Sequence, residues 1–257
     1  GFLGAKNNHR LKFGVMWANH RPVCRTVFDR AIDHCVEAYF NRPNYWRLEG
    51  GLYFSIYEMH TLIAGLGSVS ETCHAIESLR EKVQHAGGGE VHLNAVEWGM
   101  RNLPDASLEV QTRLIAELGI QSITDYVWVH HVELENFPEN DYTGTAERAY
   151  ADWDRFRAAY SVPYHPNVTM GWDSWPRVPL ENPFELGTYP ATPLITHNSP
   201  DAFRGALQRA SQWLAQPEIR QKVLTINAWN EWTEGSYLEP DTRHGMGYLQ
   251  AIRQTFG

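Results

Sequence analysis

Short apolar, β-rich runs alternate with stretches of helical periodicity along the whole chain. The runs fall at residues 11–17, 52–57, 91–96, 122–129, 168–172 and 223–229. Most are apolar throughout rather than alternating, as strands covered on both faces are. Between them, Phe28, Ile32, Cys35, Val36 and Tyr39 recur at helical spacing behind Thr26 and Asp29, which resemble a capping pair. Ser199 and Pro200 form an N-cap and first-turn pair ahead of Phe203, Leu207, Ala210 and Leu214, and Gly119 stands where the 108–118 pattern should stop. Further helical stripes lie near 70–86 and 144–160. Six strand–helix units of this kind predict a parallel α/β sheet covered on both sides.

The strand starts are spaced about 42 residues apart, so eight units would need roughly 340 residues, within the size range of (β/α)8 barrels with insertions. The expected fold is therefore of the (β/α)8 TIM-barrel type, with about six units present and the first two missing upstream. An open six-stranded sheet is the alternative, and it would leave edges exposed. No linker, repeat or low-complexity tract divides the chain, so residues 1–257 read as one catalytic domain, N-terminally incomplete. Residues 176–200 enclose Pro179, Pro183, Pro190 and Pro193 and read as a long ordered loop, the kind that builds a binding-site wall.

Charge and composition narrow the function. With 22 Lys+Arg against 30 Asp+Glu, the net charge of −8 offers no general attraction for nucleic acid or anionic lipid. Cys24, Cys35 and Cys73 lack paired metal or redox spacing, so free thiols in a reducing compartment are expected. No stretch predicts a membrane span, and no basic-then-apolar start marks a targeting peptide. A cytoplasmic location follows, with a periplasmic or secreted one as the alternative if a piece ahead of Gly1 was removed. Oligomeric state is not legible.

The ten Trp, twelve Tyr and ten Phe are more than a core of this size asks for, and their placement matters more than their number. Every predicted strand ends in or next to an aromatic residue: Trp17, Tyr57, Trp98, Trp128, Trp172 and Trp229. Polar groups stand within a few positions: Asn19 and His20, Glu58, Asn94 and Glu97, Asp125 with Tyr126 and His130, Asp173, then Asn230, Glu231 and Glu234. In a parallel barrel those strand ends open onto one face. Aromatic faces edged with carboxylates and amides suit sugars, which stack their apolar ring faces and hydrogen-bond their hydroxyls. Core packing is the competing role for each ring taken singly.

The densest segment is residues 227–241, NAWNEWTEGSYLEPD, where Glu231 and Glu234 lie three apart and between Trp229, Trp232 and Tyr237. Two close carboxylates cannot both ionise cheaply, so one is held as an acid. Such a pair is the raw material of glycoside cleavage, whereas its structural alternative is a solvated pair at a helix start. His130 and His131 with Glu133 and Glu135 lack diagnostic ligand spacing and read as loop surface, so no metal is proposed and no cofactor is implied. Gly87–Gly88–Gly89 precedes a strand and reads as a flexible connection rather than a phosphate cradle. Asp173 and Arg177 either bind sugar hydroxyls or form a structural ion pair. Asn167–Val168–Thr169 is a formal glycosylation sequon at a strand start.

The same run, with GYLQAI at 247–252, KFGVMWANH at 12–20, YFSIYE at 53–58 and VTMGWDSWPR at 168–177, resembles the WbsX-type, glycoside hydrolase family 99-like domain over nearly the whole chain. The resemblance implies a TIM-like barrel and a retaining reaction of the endo-α-mannosidase kind on an oligo- or polysaccharide. In that scheme Glu231 matches the base that deprotonates a sugar 2-hydroxyl, and Glu234 matches the acid/base that protonates the departing oxygen. The strand-end placement, rather than the resemblance, makes Trp17, Asn19, His20, Tyr57, Glu58, Asn94, Glu97, Asp125, Tyr126, Trp128, Trp172, Asp173, Arg177, Trp229, Asn230 and Trp232 the candidate glycan-binding residues. A glycosyltransferase of surface-polysaccharide (lipopolysaccharide, O-antigen or capsule) assembly and a non-catalytic glycan-binding protein are the alternatives.

Overall fold

A computed structural model describes residues 1–103, 107–181 and 186–257; Pro183 of the proline-rich stretch lies outside them. The chain divides into two compact units, Gly1–Ile123 with Tyr160–Val162, and Thr124–Ala159 with Pro163–Gly257.

The first unit carries β1 (Val15–Trp17), α1 (Arg25–Cys35), the short β2 (Arg47–Leu48), β3 (Gly51–Ile56), α2 (Met59–Leu66), α3 (Val69–His85), β4 (Val91–Val96), α4 (Glu97–Arg101), α5 (Leu108–Leu118) and the start of β5 (Ser122–Thr124). The strand order is β1-β3-β4-β5. β3 pairs in parallel with β1, Phe54 facing Val15, and with β4, Leu52 facing Val91. β2 folds back antiparallel onto β3. Every residue of β3 and β4 is buried, as a strand sandwiched on both faces requires. The polar residues among them are satisfied across the sheet: Ser55 Oγ donates to Asn94 Oδ1 at 2.7 Å, and Asn94 Nδ2 donates to the Ser122 carbonyl at 3.1 Å. Buried polar groups paired in this way fix strand register as well as avoiding a desolvation cost.

The second unit carries β6 (Glu139–Asp141), α6 (Tyr142–Ala159), β7 (Tyr164–His165), β8 (Asn167–Thr169), β9 (Leu194–Thr196), α7 (Pro200–Leu214), β10 (Thr225–Asn227), β11 (Asn230–Glu231), β12 (Ser236–Tyr237) and α8 (Gly247–Phe256). β10 runs parallel to β8 with Ile226 facing Val168, β6 runs parallel to β9, and β11 and β12 form an antiparallel pair. α7 and α8 pack through Phe203 and Tyr248, whose ring centroids are 5.7 Å apart. No helix among the described residues is long and apolar enough to cross a membrane.

Two predicted helix ends form as expected. Ser199 Oγ accepts the Ala202 N–H at 3.2 Å ahead of Pro200, and Gly119 closes α5 at φ +63°, a conformation that costs little without a Cβ. The capping pair at Thr26 and Asp29 does not form. α1 starts at Arg25 with no side-chain cap, and Asp29 instead accepts from Arg25 Nε at 2.9 Å, one turn back. The strand expected over 122–129 ends at Thr124, and residues 128–130 make a 3-10 turn. The Trp128 N–H there donates to Thr169 Oγ1 at 2.9 Å rather than to a strand neighbour.

Candidate active site

The second unit builds its site on the turn that follows β10. Asn227 ends that strand buried, and Ser236 Oγ donates both to its carbonyl and to its Oδ1, each at 2.7 Å. The chain between them therefore returns on itself as β11, the 3-10 turn Trp232–Glu234 and β12. Gly235 reverses the chain at φ +63°. A Cβ there would meet Asp173 Cβ at 2.8 Å, so glycine is required twice over, by conformation and by room. The close approach lets the Asp173 N–H donate to the Glu234 carbonyl at 2.7 Å, which ties the turn to the segment leaving β8.

Arg177 lies between the two acids. Its Nη2 is 2.8 Å from Glu231 Oε2, its Nη1 is 2.8 Å from Glu234 Oε1, and its Nε donates to Thr233 Oγ1 at 2.7 Å. The fork of a guanidinium suits two carboxylates held in one plane. Tyr189 completes the arrangement: it accepts from Arg177 Nη1 and donates to Glu234 Oε1 at 3.1 Å.

The two acids differ in surroundings. The Glu234 side chain is 12% exposed and that of Glu231 is 37% exposed. Burial pushes the Glu234 carboxyl up from its ordinary value against Arg177 and Tyr189, which pull it down, and Glu231 adds a smaller upward push. The sequence expectation names mutual repulsion as the cause of an upward shift; at Glu234 desolvation comes first and the push from Glu231 is the smallest of the four contributions.

Several expected residues gather around this turn. Trp229 is 52% exposed and Trp232 is 45% exposed. The Trp232 indole stacks on Tyr237, centroids 3.7 Å apart, and donates Nε1–H to Glu239 at 2.7 Å. One aromatic face is thus held in a fixed orientation beside the carboxylates. Asn230 sits opposite Tyr237 in β11. The half-buried Tyr126 phenol is pushed up by burial first and then by Glu231 and Glu234. Trp172 is buried and donates Nε1–H to Thr192 Oγ1 at 2.9 Å. Asp173 forms no ion pair with Arg177; its Oδ1 accepts the Trp175 N–H at 3.1 Å.

Others are not at the turn. Trp128 is fully buried, with Nε1–H on the Asn167 carbonyl at 3.0 Å, and serves the core. Asp125 is buried at 2.7 Å from His131 Nε2, while His131 Nδ1 is 2.7 Å from Asp152. That overturns the surface-loop reading of His131, whose side chain is wholly buried between two aspartates. The His130 ring stacks on Tyr126.

Trp17, Asn19, His20, Tyr57, Glu58, Asn94 and Glu97 belong to the first unit. Asn19 brackets the Glu58 backbone, accepting its N–H at 3.0 Å and donating to its carbonyl at 2.5 Å. His20 Nδ1 stands 3.3 Å from Glu58 Oε1 and meets Tyr57 edge-on, while Tyr57 packs on Trp98 and Trp17 on Phe28. Glu97 is wholly buried, 2.6 Å from Arg101 Nε and within reach of the Tyr160 hydroxyl at 3.3 Å. Asn94 is occupied by the sheet contacts described above.

Sequence reasoning missed Tyr189 and Thr233. The signal for Tyr189 was present in the proline-rich stretch, whose wall role was expected without a residue being chosen. Ser174 Oγ donates to the Pro190 carbonyl at 2.7 Å and Trp175 Nε1–H to the Thr192 carbonyl at 2.9 Å, so this wall is pinned beside Arg177.

Comparison with known proteins agrees with the fold. The chain is 27% identical over 272 residues to the uncharacterized protein WxcX of Xanthomonas campestris pv. campestris, covering 95% of this chain and 34% of that protein. It thus spans about a third of the length of the curated relatives it matches. Among solved structures, the GH99 endo-alpha-mannosidase from Bacteroides thetaiotaomicron superposes with a TM-score of 0.58 at 14% identity, over 97% of this chain and 66% of that one. A glycoside hydrolase-like protein superposes with a TM-score of 0.57 at 16% identity, over 90% of this chain and 61% of that one. These place the fold in the α/β TIM-barrel type. A family model described as glycosyltransferase WbsX matches residues 25–252, and the chain belongs to that family.

Proposed function

We propose that this member of a carbohydrate-active family is a retaining glycoside hydrolase of a polysaccharide, acting through Glu231 and Glu234. The observation that carries the reading is the asymmetry of two carboxylates held on one guanidinium. Glu234 is buried and pushed up, the state of an acid. Glu231, paired to the same guanidinium, is the more exposed of the two and takes the role of the base. Each acid also keeps an oxygen for chemistry. Glu231 Oε1 and Glu234 Oε2 have no hydrogen-bond partner among the described residues, since Arg177 engages Glu231 Oε2 and Glu234 Oε1 and Tyr189 shares the latter.

In the reaction, Glu231 takes the proton of a sugar 2-hydroxyl as that oxygen attacks the anomeric carbon, and Glu234 gives its proton to the departing glycosidic oxygen. A 1,2-anhydro sugar results. Glu234 then deprotonates a water that reopens the ring from the other face, and Glu231 returns its proton to the 2-oxygen, so configuration is retained after two inversions. The stacked Trp232 indole and the exposed Trp229 offer faces for sugar rings.

Incubation with mannose-containing glycans and no activated donor should release new reducing ends, with the anomer first formed, followed by proton NMR, matching that of the substrate. The family description favours a second reading, glycosyl transfer. Consumption of a nucleotide- or lipid-linked donor with lengthening of an acceptor, and no release from glycan alone, would establish that reading instead.

Arg177 sets the pH range. Because the guanidinium pulls the Glu234 carboxyl down, Arg177→Met should let it rise further. An acid catalyst fails above its own pKa, so the alkaline limb of the kcat/KM profile should move to higher pH. An unmoved limb would remove Glu234 from the acid role.

A further inference from the structure

The first unit holds a hollow of about 360 Å³ that shares no residue with the carboxylate turn. Lys12, Arg42 and Arg47 stand around it with Gly87, over Phe40 and Tyr45. Its position follows from topology. Lys12 precedes β1, Arg47 opens β2 just ahead of β3, and Gly87 lies in the connection from α3 to β4, so the hollow sits where these parallel strands begin. His20, Tyr57, Glu58 and Glu97 lie where the same strands end.

Three cations around one hollow run against the net charge of −8. No carboxylate is among the lining residues, and none of the three cations joins an ion pair among the described residues. Arg47 is pre-set: its Nη1 donates to the Gly50 carbonyl at 3.0 Å and its Nη2 to the Gly88 carbonyl at 2.7 Å. Arg42 donates Nε–H to the Ala38 carbonyl at 2.9 Å, which orients the guanidinium and leaves both terminal nitrogens without a partner among the described residues. The Lys12 ammonium makes no hydrogen bond among the described residues. Phe40 and Tyr45 also line the hollow and are themselves 2% and 4% exposed.

We infer that this hollow binds a phosphate or pyrophosphate group. A carboxylate would satisfy one guanidinium fork. A dianionic or trianionic phosphoryl group matches three cations lining one hollow and offers more oxygens than a carboxylate to engage them, and the volume lies in the range of small-molecule sites. Two sources share that chemistry: a soluble sugar phosphate or nucleotide, and the headgroup of an anionic lipid.

The test uses the whole chain with two probes, inorganic pyrophosphate by titration calorimetry and vesicles containing phosphatidic acid by sedimentation. Saturable binding of pyrophosphate is expected, weakening with added sodium chloride. Lys12→Glu with Arg42→Glu should weaken it at least tenfold, since both side chains are exposed and carry little of the fold. Lys12→Gln alone, a milder change, should weaken it in the same direction. Pyrophosphate binding without vesicle binding assigns a soluble ligand, and vesicle binding lost in the same variants assigns a lipid headgroup. No saturable binding of either probe, or binding equal in wild type and variants of unchanged thermal midpoint, would overturn the inference.

Discussion

Glu234→Gln is expected to lower turnover of a glycan by about a hundred- to ten-thousand-fold while glycan binding changes little. Glutamine keeps the shape of the side chain, and its carbonyl oxygen still accepts from Arg177 and Tyr189 as Glu234 Oε1 does at 2.8 and 3.1 Å. What it lacks is the proton. The deficit should therefore depend on the leaving group: an aryl glycoside, whose departing oxygen needs little protonation, should lose much less in the first step than a sugar leaving group does. The variant should also lose the alkaline limb of the wild-type profile, because no carboxyl remains to titrate there. Turnover of natural glycan within threefold of wild type, on protein with an unchanged unfolding midpoint, would end the case for Glu234 as the acid.

The strands were legible because burial on both faces leaves a plain signature. β3 and β4 are apolar runs in the sequence and wholly buried in the fold. The run over 122–129 reads as a strand in the same way yet ends as one at Thr124. Hydrophobicity reports burial there, and Trp128 is buried in a turn rather than in a ladder. The segment carrying Glu231 and Glu234 stands out in the sequence because two carboxylates three apart lie among aromatic residues, and the chain does turn there. What lay out of reach was long-range. Arg177, which joins both acids, is 54 positions from Glu231, and no local spacing says that it pairs with them rather than with Asp173. Asp125 and Glu97 follow strands as active-site residues do and Asn94 lies within β4, but each is buried, and the partners that hold it were invisible to a reading along the chain.

His131 shows how large such a hidden contact is. Its side chain is fully buried with an aspartate 2.7 Å from each ring nitrogen. Burial alone would drive the imidazole neutral, but Asp125 and Asp152 outweigh it and raise its pKa to about 9. A histidine raised above its unfolded value of about 6.5 stabilises the fold most below pH 6.5, and that contribution fades as pH rises through 9. The shift corresponds to about 3 kcal/mol. Removing the imidazole would also leave Asp125 buried opposite no cation, and breaking a buried pair from one side costs about 3–5 kcal/mol. His131→Gln should therefore unfold at a markedly lower urea concentration than wild type at pH 6. By pH 10 the gap should narrow, because the wild type has lost the same charge. Asp152→Asn, whose position is 19% exposed, should cost less and show the same trend. Equal losses at pH 6 and pH 10 for His131→Gln would mean that the imidazole is neutral in the folded protein and that hydrogen bonding, not charge, joins these three residues.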